Sequence, residues 1–290
     1  MFSHFGNTFK RSIKMSEKKY YTEYDSGIKA AALAEQIIND PDLPNLKSII
    51  IGMWDEEIYD VNPDGIFAAI VANKDKFQHI ESLFVGDMEQ EENEVSWIHQ
   101  GNYEELLKAL PNLKTLKIKG SEGLSLGKVD HKCLEELVII TGGLPASVVN
   151  EIKAAKLPNL KKLVLYAGVE DYGCDCKPSD FAELAKKDMF PNLKYLGFVN
   201  SDKQDELVQI ILESDILPQL ETVGISFGCL TDKGGQLILD GAAKLSGLKK
   251  LRANFHYMSK DMVAKLRALP FEVEVDDPQD DEYMYPMITE

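Results

Sequence analysis

Apolar residues recur along this chain in a fixed frame. Between residues 46 and 253 the frame L-x-x-L-x-L, with Ile, Val, Phe or Ala as substitutes, returns eight times. The frames are Leu46/Ile49/Ile51, Ile80/Leu83/Val85, Leu113/Leu116/Ile118 and Leu134/Leu137/Ile139. They continue as Leu160/Leu163/Leu165, Leu193/Leu196/Phe198, Leu220/Val223/Ile225 and Leu248/Leu251/Ala253. Side chains alternate along a strand, so the fourth and sixth positions share one face and predict a short strand with that face in the core. Helical stretches follow, as at Pro178–Lys187 and Asp205–Glu213, and a proline closes each before the next strand.

The connecting phrases repeat as well. LPNLK stands at 43–47, 110–114 and 157–161, and FPNLK at 190–194, with weaker copies FQHIE, LPQLE and LSGLK. Frame starts are 34, 33, 21, 26, 33, 27 and 28 residues apart. One unit cannot bury its own apolar edge, but stacked units bury a continuous core. The expected architecture is an α/β solenoid of about eight repeats, with a parallel sheet on a concave side and helices on a convex side. Residues 26–275 form that domain. A helix over Ser26–Asn39, N-capped by Ser26, covers the first repeat, and a strand at 271–275 closes the last. Residues 1–25 read as a flexible polar segment, with Met15 as an alternative start, and 276–290 as a loosely ordered acidic tail.

This pattern resembles the leucine-rich repeat superfamily, in its ribonuclease-inhibitor-like class with a right-handed α/β horseshoe. LETVGISFGCLTDKGGQLI at 220–238 carries the resemblance best, with Leu230-Thr231-Asp232 and Gly235 at the helix start. The run FVGDMEQEENEVSWIHQGNYEELLKALPNLKTLKIKG resembles uncharacterised bacterial leucine-rich-repeat proteins, some of which carry a WGR domain that has no counterpart here. The resemblance implies a cytoplasmic bacterial protein without an established catalytic role, and fold alone does not give function. One departure stands out. The family's loop-bonding Asn or Cys is replaced by Trp54, Met88, Ser121, Gly142, Gly168, Ser201, Gly228 and His256. The loops must therefore satisfy their backbone groups in another way.

Charge narrows the partners. The net charge of −16 argues against nucleic acid, which needs clustered Lys and Arg, and favours a basic or mixed partner. No run approaches the 18 or so uninterrupted apolar residues of a membrane span. The basic N-terminus lacks the apolar core of a signal peptide. Cys133, Cys174, Cys176 and Cys229 read as reduced thiols, and Cys174-Asp-Cys176 has no second pair to complete a metal site.

Candidate chemistry is sparse. Gly123-Leu124-Ser125-Leu126-Gly127 matches a nucleophile elbow, but the next repeat strand leaves no room for the helix that an elbow requires. The five histidines show no ligand spacing, and no cofactor motif is present. Catalytic, metal and cofactor residues are accordingly expected to be none. Asp87, Glu89 and Glu91 open an acidic loop after the second strand, and Trp97 follows them. Trp54 sits in the equivalent first-repeat loop, so an acidic rim with two tryptophans is expected at the strands' C-terminal ends. The tryptophans either anchor a partner or pack inward to pin the loops. Carboxylates are hard ligands, yet this spacing is no EF-hand.

The concave positions carry the stronger signal. Ile50, Phe84, Val138, Ile140, Val164, Tyr166, Tyr195 and Val199 should face outward, more apolar than a solvated surface needs. Strand propensity alone also favours such residues. The expected function is a non-catalytic scaffold holding a protein or peptide partner on this face and its acidic, aromatic rim. The alternatives are an enzyme or metal-binding protein using the rim carboxylates, and a self-associating structural protein.

Overall fold

The protein is described by a computed structural model covering residues 16–280 and 283–289. Residues 1–15, including Met15, and residues 281, 282 and 290 of the acidic tail lie outside that description.

Among the described residues there are ten strands: β1 (Glu17–Tyr20), β2 (Ser48–Ile51), β3 (Ser82–Val85), β4 (Thr115–Lys119), β5 (Glu136–Ile140), β6 (Lys162–Gly168), β7 (Tyr195–Ser201), β8 (Thr222–Gly224), β9 (Lys250–Arg252) and β10 (Glu272–Glu274). A helix separates each pair of consecutive strands except β4 and β5: α1 (Ala30–Ile38), α2 (Asp64–Ala72), α3 (Glu104–Ala109), α4 (Ala146–Ala154), α5 (Pro178–Leu184), α6 (Gln204–Glu213), α7 (Asp232–Asp240) and α8 (Lys260–Arg267). The strands form one parallel sheet in sequence order. Each helix carries the chain from one strand to its neighbour in the sheet, so neighbouring units stack as in an α/β solenoid.

The frame sets the register. Ile49, Leu83, Leu116, Leu137, Leu163, Leu196, Val223 and Leu251 pair across β2 to β9 and are at most 3% exposed. Each such side chain contributes about 1.5–3 kcal/mol on leaving water. A one-residue slip of any strand would turn this row outward, so burial fixes the pairing.

Two further rows reinforce it. The asparagine of the repeated phrase donates to a carbonyl of the preceding repeat: Asn112 to Gln78 (2.8 Å), Asn159 to Lys132 (2.7 Å) and Asn192 to Pro158 (2.8 Å). Beside it, frame position two alternates in charge. Glu81 bridges Lys47 (3.0 Å) and Lys114 (2.6 Å), Glu135 meets Lys161 (2.8 Å) and Glu221 meets Lys249 (2.7 Å). Exposed pairs of this kind contribute little stability individually, so their effect is on register. The alternation breaks where Lys194 follows Lys161, and Lys194 instead donates to the Gln219 carbonyl.

The loops, which lack the expected ladder residue, use single buried side chains. Gln100 donates to the Lys119 carbonyl (2.8 Å) and accepts from the Tyr103 hydroxyl (2.6 Å). Gln204 donates to the Phe198 carbonyl (2.8 Å). His131 Nδ1 accepts from the Leu134 amide (3.0 Å), and His256 Nδ1 from the Met258 amide (3.1 Å). Both rings are buried and structural.

The ends differ from expectation. Glu17–Tyr20, read as part of a flexible segment, pair with β2 as the edge strand. Tyr20 is buried and donates to Asp40 (2.5 Å), which also holds Lys18 (2.6 Å). Ser26 does not cap a helix. It bonds the Thr22 hydroxyl (2.5 Å), and α1 begins at Ala30, whose amide donates to Asp55 (2.8 Å). The closing strand is β10. The tail beyond it, expected to be loose, is bonded back to the body: Gln279 donates to the His256 carbonyl, and residues 285–288 reach the ends of the central strands.

Candidate functional site

Frame positions three, five and seven lie on the sheet face opposite the core. Position five forms a row through register: Ile50, Phe84, Lys117, Val138, Val164, Gly197, Gly224 and Arg252. The two glycines leave the sixth and seventh places of the row without side chains. A β-carbon on Gly224 would stand 3.0 Å from the Tyr195 hydroxyl, and one on Gly197 3.1 Å from Val164. Tyr195 therefore lies across the glycines instead of standing off the sheet. The result is a cleft of about 430 Å³ between Lys117, Lys162, Arg252 and Glu274, lined by Val138, Ile140, Val164, Tyr166, Tyr195 and Val199. Tyr166 stacks on Phe227 with ring centroids 5.9 Å apart, and burial pushes its hydroxyl pKa up to about 12.

Cations edge this cleft on an otherwise acidic protein. Lys162 pairs with Glu136 (3.2 Å) and Arg252 with Glu274 (2.9 Å). Lys117 has no carboxylate partner among the described residues; its ammonium lies 4.0 Å from the Phe84 ring centroid. Burial lowers the pKa of Lys117, and does the same for Lys119, whose ammonium donates to the Met88 carbonyl.

The structure brings six of the eight expected face residues to a half-exposed surface: Ile50, Phe84, Val138, Ile140, Tyr166 and Tyr195. Val164 (7% exposed) and Val199 (2%) are buried by their neighbours and form the cleft floor, so they present little area.

The rim departs further from expectation. Trp54 is fully buried, and its indole donates to the Val61 carbonyl (2.8 Å). It pins the first-repeat loop and cannot anchor a partner. Trp97 is 57% exposed. It lines a recess of about 580 Å³ with Asp60, Gln90, Glu91, Glu94 and His99. Asp87 is engaged by Lys19 (3.0 Å), while Glu89 stands exposed at the turn where its amide donates to Glu92 (2.8 Å). The rim is acidic with one available tryptophan. Among the described residues no three His, Cys, Asp or Glu side chains gather closely enough to hold a metal ion. Ser125, the candidate elbow serine, donates to Glu151 (2.8 Å) in a loop.

Two features escaped sequence reasoning. Carboxylates at helix starts and in loops bond the adjacent repeat's backbone: Asp64 accepts from the Asn102 amide (3.0 Å), Asp175 from Ala146 (2.5 Å), Asp205 from Thr231 (2.9 Å) and Asp232 from Ser259 (2.7 Å). Acids recurring at the first helical turn were the available signal. The second is a thiol pair. The hydrogen bond shared with Cys176 lowers the Cys174 pKa to about 7, and that of Cys176 is raised.

No family model matches the chain, and no curated protein matches it. Among solved structures, the crystal structure of a protein from Bacteroides fragilis superposes with a TM-score of 0.89 at 46% sequence identity, covering 94% of this chain and 77% of that one. This chain belongs to the same family. The likeness carries the α/β repeat fold, with its ten-stranded parallel sheet, and assigns no activity. No helix among the described residues is long and apolar enough to cross a membrane.

Proposed function

We propose that this protein is a cytoplasmic interaction scaffold of the leucine-rich-repeat type, without catalytic activity, whose sheet curves around a protein or peptide partner. The observation that carries this reading is the cleft on the open sheet face, apolar at its floor and edged by Lys117, Lys162 and Arg252. On a chain of net charge −16 these cations form a local exception. Lys117 is partly desolvated and has no carboxylate within ion-pair distance among the described residues, so a carboxylate brought to it offsets part of that desolvation. The partner is therefore an apolar or aromatic segment bearing an acidic side chain, with the Trp97 recess as a second contact for a basic residue.

The test is selection of displayed peptides on the full chain. Enriched sequences should combine aromatic or aliphatic residues with Asp or Glu. Their affinity should fall at least about ten-fold in Val138→Asp and in Lys117→Glu, a loss expected for a contact at an interface centre. Both variants should keep the circular dichroism spectrum of the parent. Selection that yields nothing above a control protein, or peptides that bind both variants unchanged, refutes the proposal.

A further inference from the structure

The segment Tyr285–Thr289 passes the C-terminal ends of the strands from β9 back to β5, and hydrogen bonds from the body hold its backbone. The Tyr257 hydroxyl donates to the Tyr285 carbonyl (2.9 Å) and accepts from the Tyr285 amide (3.0 Å). The Phe227 carbonyl accepts from the Met287 amide (2.8 Å). Asn200 completes the set: its Oδ1 accepts from the Ile288 amide (2.9 Å) and its Nδ2 donates to the Ile288 carbonyl (2.6 Å).

Asn200 is built for this task. It is fully buried and sits in the left-handed region (φ 57°), which Asn tolerates better than most residues. A third bond, from Nδ2 to the Thr141 carbonyl (3.3 Å), fixes the amide plane. At the far end Gly142 lets the chain pass, since a β-carbon there would stand 2.4 Å from the Thr289 carbonyl. The held side chains alternate: Tyr285 and Met287 are exposed, Pro286 is buried and Ile288 is half-buried. That is the period of an extended strand read at every second residue.

We infer that Asn200, Phe227 and Tyr257 form a backbone clamp for an extended peptide with apolar side chains at alternate positions, and that residues 285–289 occupy it in place of a partner segment. The clamp adjoins the cleft, sharing Phe227 with it, and so deepens the scaffold reading on which it rests. Five backbone bonds and no contact specific to the exposed side chains mean that a partner needs only the φ-x-φ pattern to compete. Such use of main-chain bonds for affinity and alternate side chains for specificity is how strand-like peptides are held on sheet edges.

The experiment uses the full chain with its own segment disabled. Met287→Pro with Ile288→Pro removes the two amides that Phe227 and Asn200 accept. A fluorescent peptide of sequence Tyr-Met-Tyr-Pro-Met-Ile-Thr is titrated against the opened and the unaltered chain and followed by anisotropy. The opened chain should bind at least about ten-fold more tightly, because the resident segment no longer competes. Adding Asn200→Gly, which removes the amide and keeps the left-handed backbone free of strain, should abolish binding while the circular dichroism spectrum of the opened chain is retained. Replacing the peptide's Pro and Ile by Asp should abolish it too, whereas replacing its second Tyr and second Met by Ala should not. Absence of binding to the opened chain, or binding indifferent to Asn200→Gly, overturns the clamp. So does a concentration-dependent dimer of the unaltered chain that opening abolishes, since the segment would then be exchanged between copies. Val138→Asp alters only the cleft, so it should leave this peptide's affinity unchanged. The cleft reading and the clamp therefore fail separately.

Discussion

Asp205→Ala tests the claim that carboxylates join neighbouring repeats. Asp205 lies in the first turn of α6, and its two oxygens accept from the Thr231 amide (2.9 Å) and the Thr231 hydroxyl (2.6 Å). Thr231 in turn caps α7, its hydroxyl accepting from the Lys233 amide (3.1 Å). Removing the carboxylate deletes two charge-assisted bonds and leaves the Thr231 amide without its acceptor. Hydrogen bonds to charged groups contribute roughly 1.5–3 kcal/mol each, and the site is only partly buried, so the expected loss is about 2–4 kcal/mol. Unfolding entropy near 2.1 cal/mol/K per residue converts this to a melting-point drop of about 3–7 °C for a chain of this size. Asp205→Asn, which keeps one acceptor oxygen, should lose about half as much. Since each unit touches only its neighbours, hydrogen exchange should rise in α6 and α7 and stay unchanged in β2 to β4. A cycle with Thr231→Val should show coupling, the double variant costing clearly less than the sum of the singles. A melting point within about 1 °C of the parent, or strict additivity with Thr231→Val, refutes the reasoning.

Other consequences follow from the buried and titrating groups. Trp54→Ala should cost about 3–5 kcal/mol in urea unfolding and Trp97→Ala within about 0.5 kcal/mol; similar costs would contradict their placement. Burial pushes the Asp40 carboxyl up, but bonds from Lys18 and Tyr20 outweigh it and hold the pKa below the usual range. Its contribution is therefore complete above the ordinary carboxylate pKa of about 3.9 and lost as pH falls through the lowered folded value. The melting-point gap between the parent and Asp40→Asn should shrink on acidification below that point, and a constant gap would count against the pairing. Iodoacetamide near neutral pH should modify Cys174 before Cys176 and Cys229, whose pKa values burial and neighbours raise, the latter to about 12. Mass spectrometry that finds Cys229 labelled first would refute that order.

The repeat frame made the architecture legible because it is a local signal with a global consequence. Leu137 and Ile139 state their own orientation, and stacking does the rest. The open face was readable for the same reason, since alternation puts Val138 and Ile140 opposite the core. What escaped depended on long-range contacts with no periodic mark. Trp54 turns inward because an acceptor, the Val61 carbonyl, stands seven residues on, whereas Trp97 turns out. The burial of Val164 and Val199 depends on the side chains around them on the open face, which spacing alone does not give. The tail's attachment joins Asn200 to Ile288, 88 residues apart, through backbone atoms that sequence does not distinguish. The asparagine row lies in the repeated Pro-Asn ahead of each strand, and its acceptors are backbone carbonyls of the preceding repeat, which spacing does not mark.

The alternating charges at frame position two restrict how this chain can lengthen. Duplicating the second repeat alone would set Glu81 beside a copy of itself, and duplicating the third would do the same with Lys114. Duplicating the two as a pair restores Lys beside Glu at every junction. The natural increment of growth is thus two units, and the Lys161–Lys194 step marks where one alternating block abuts another. Shortened or extended versions cut in pairs should stack in register, while those cut singly must bear a like-charge contact at the seam.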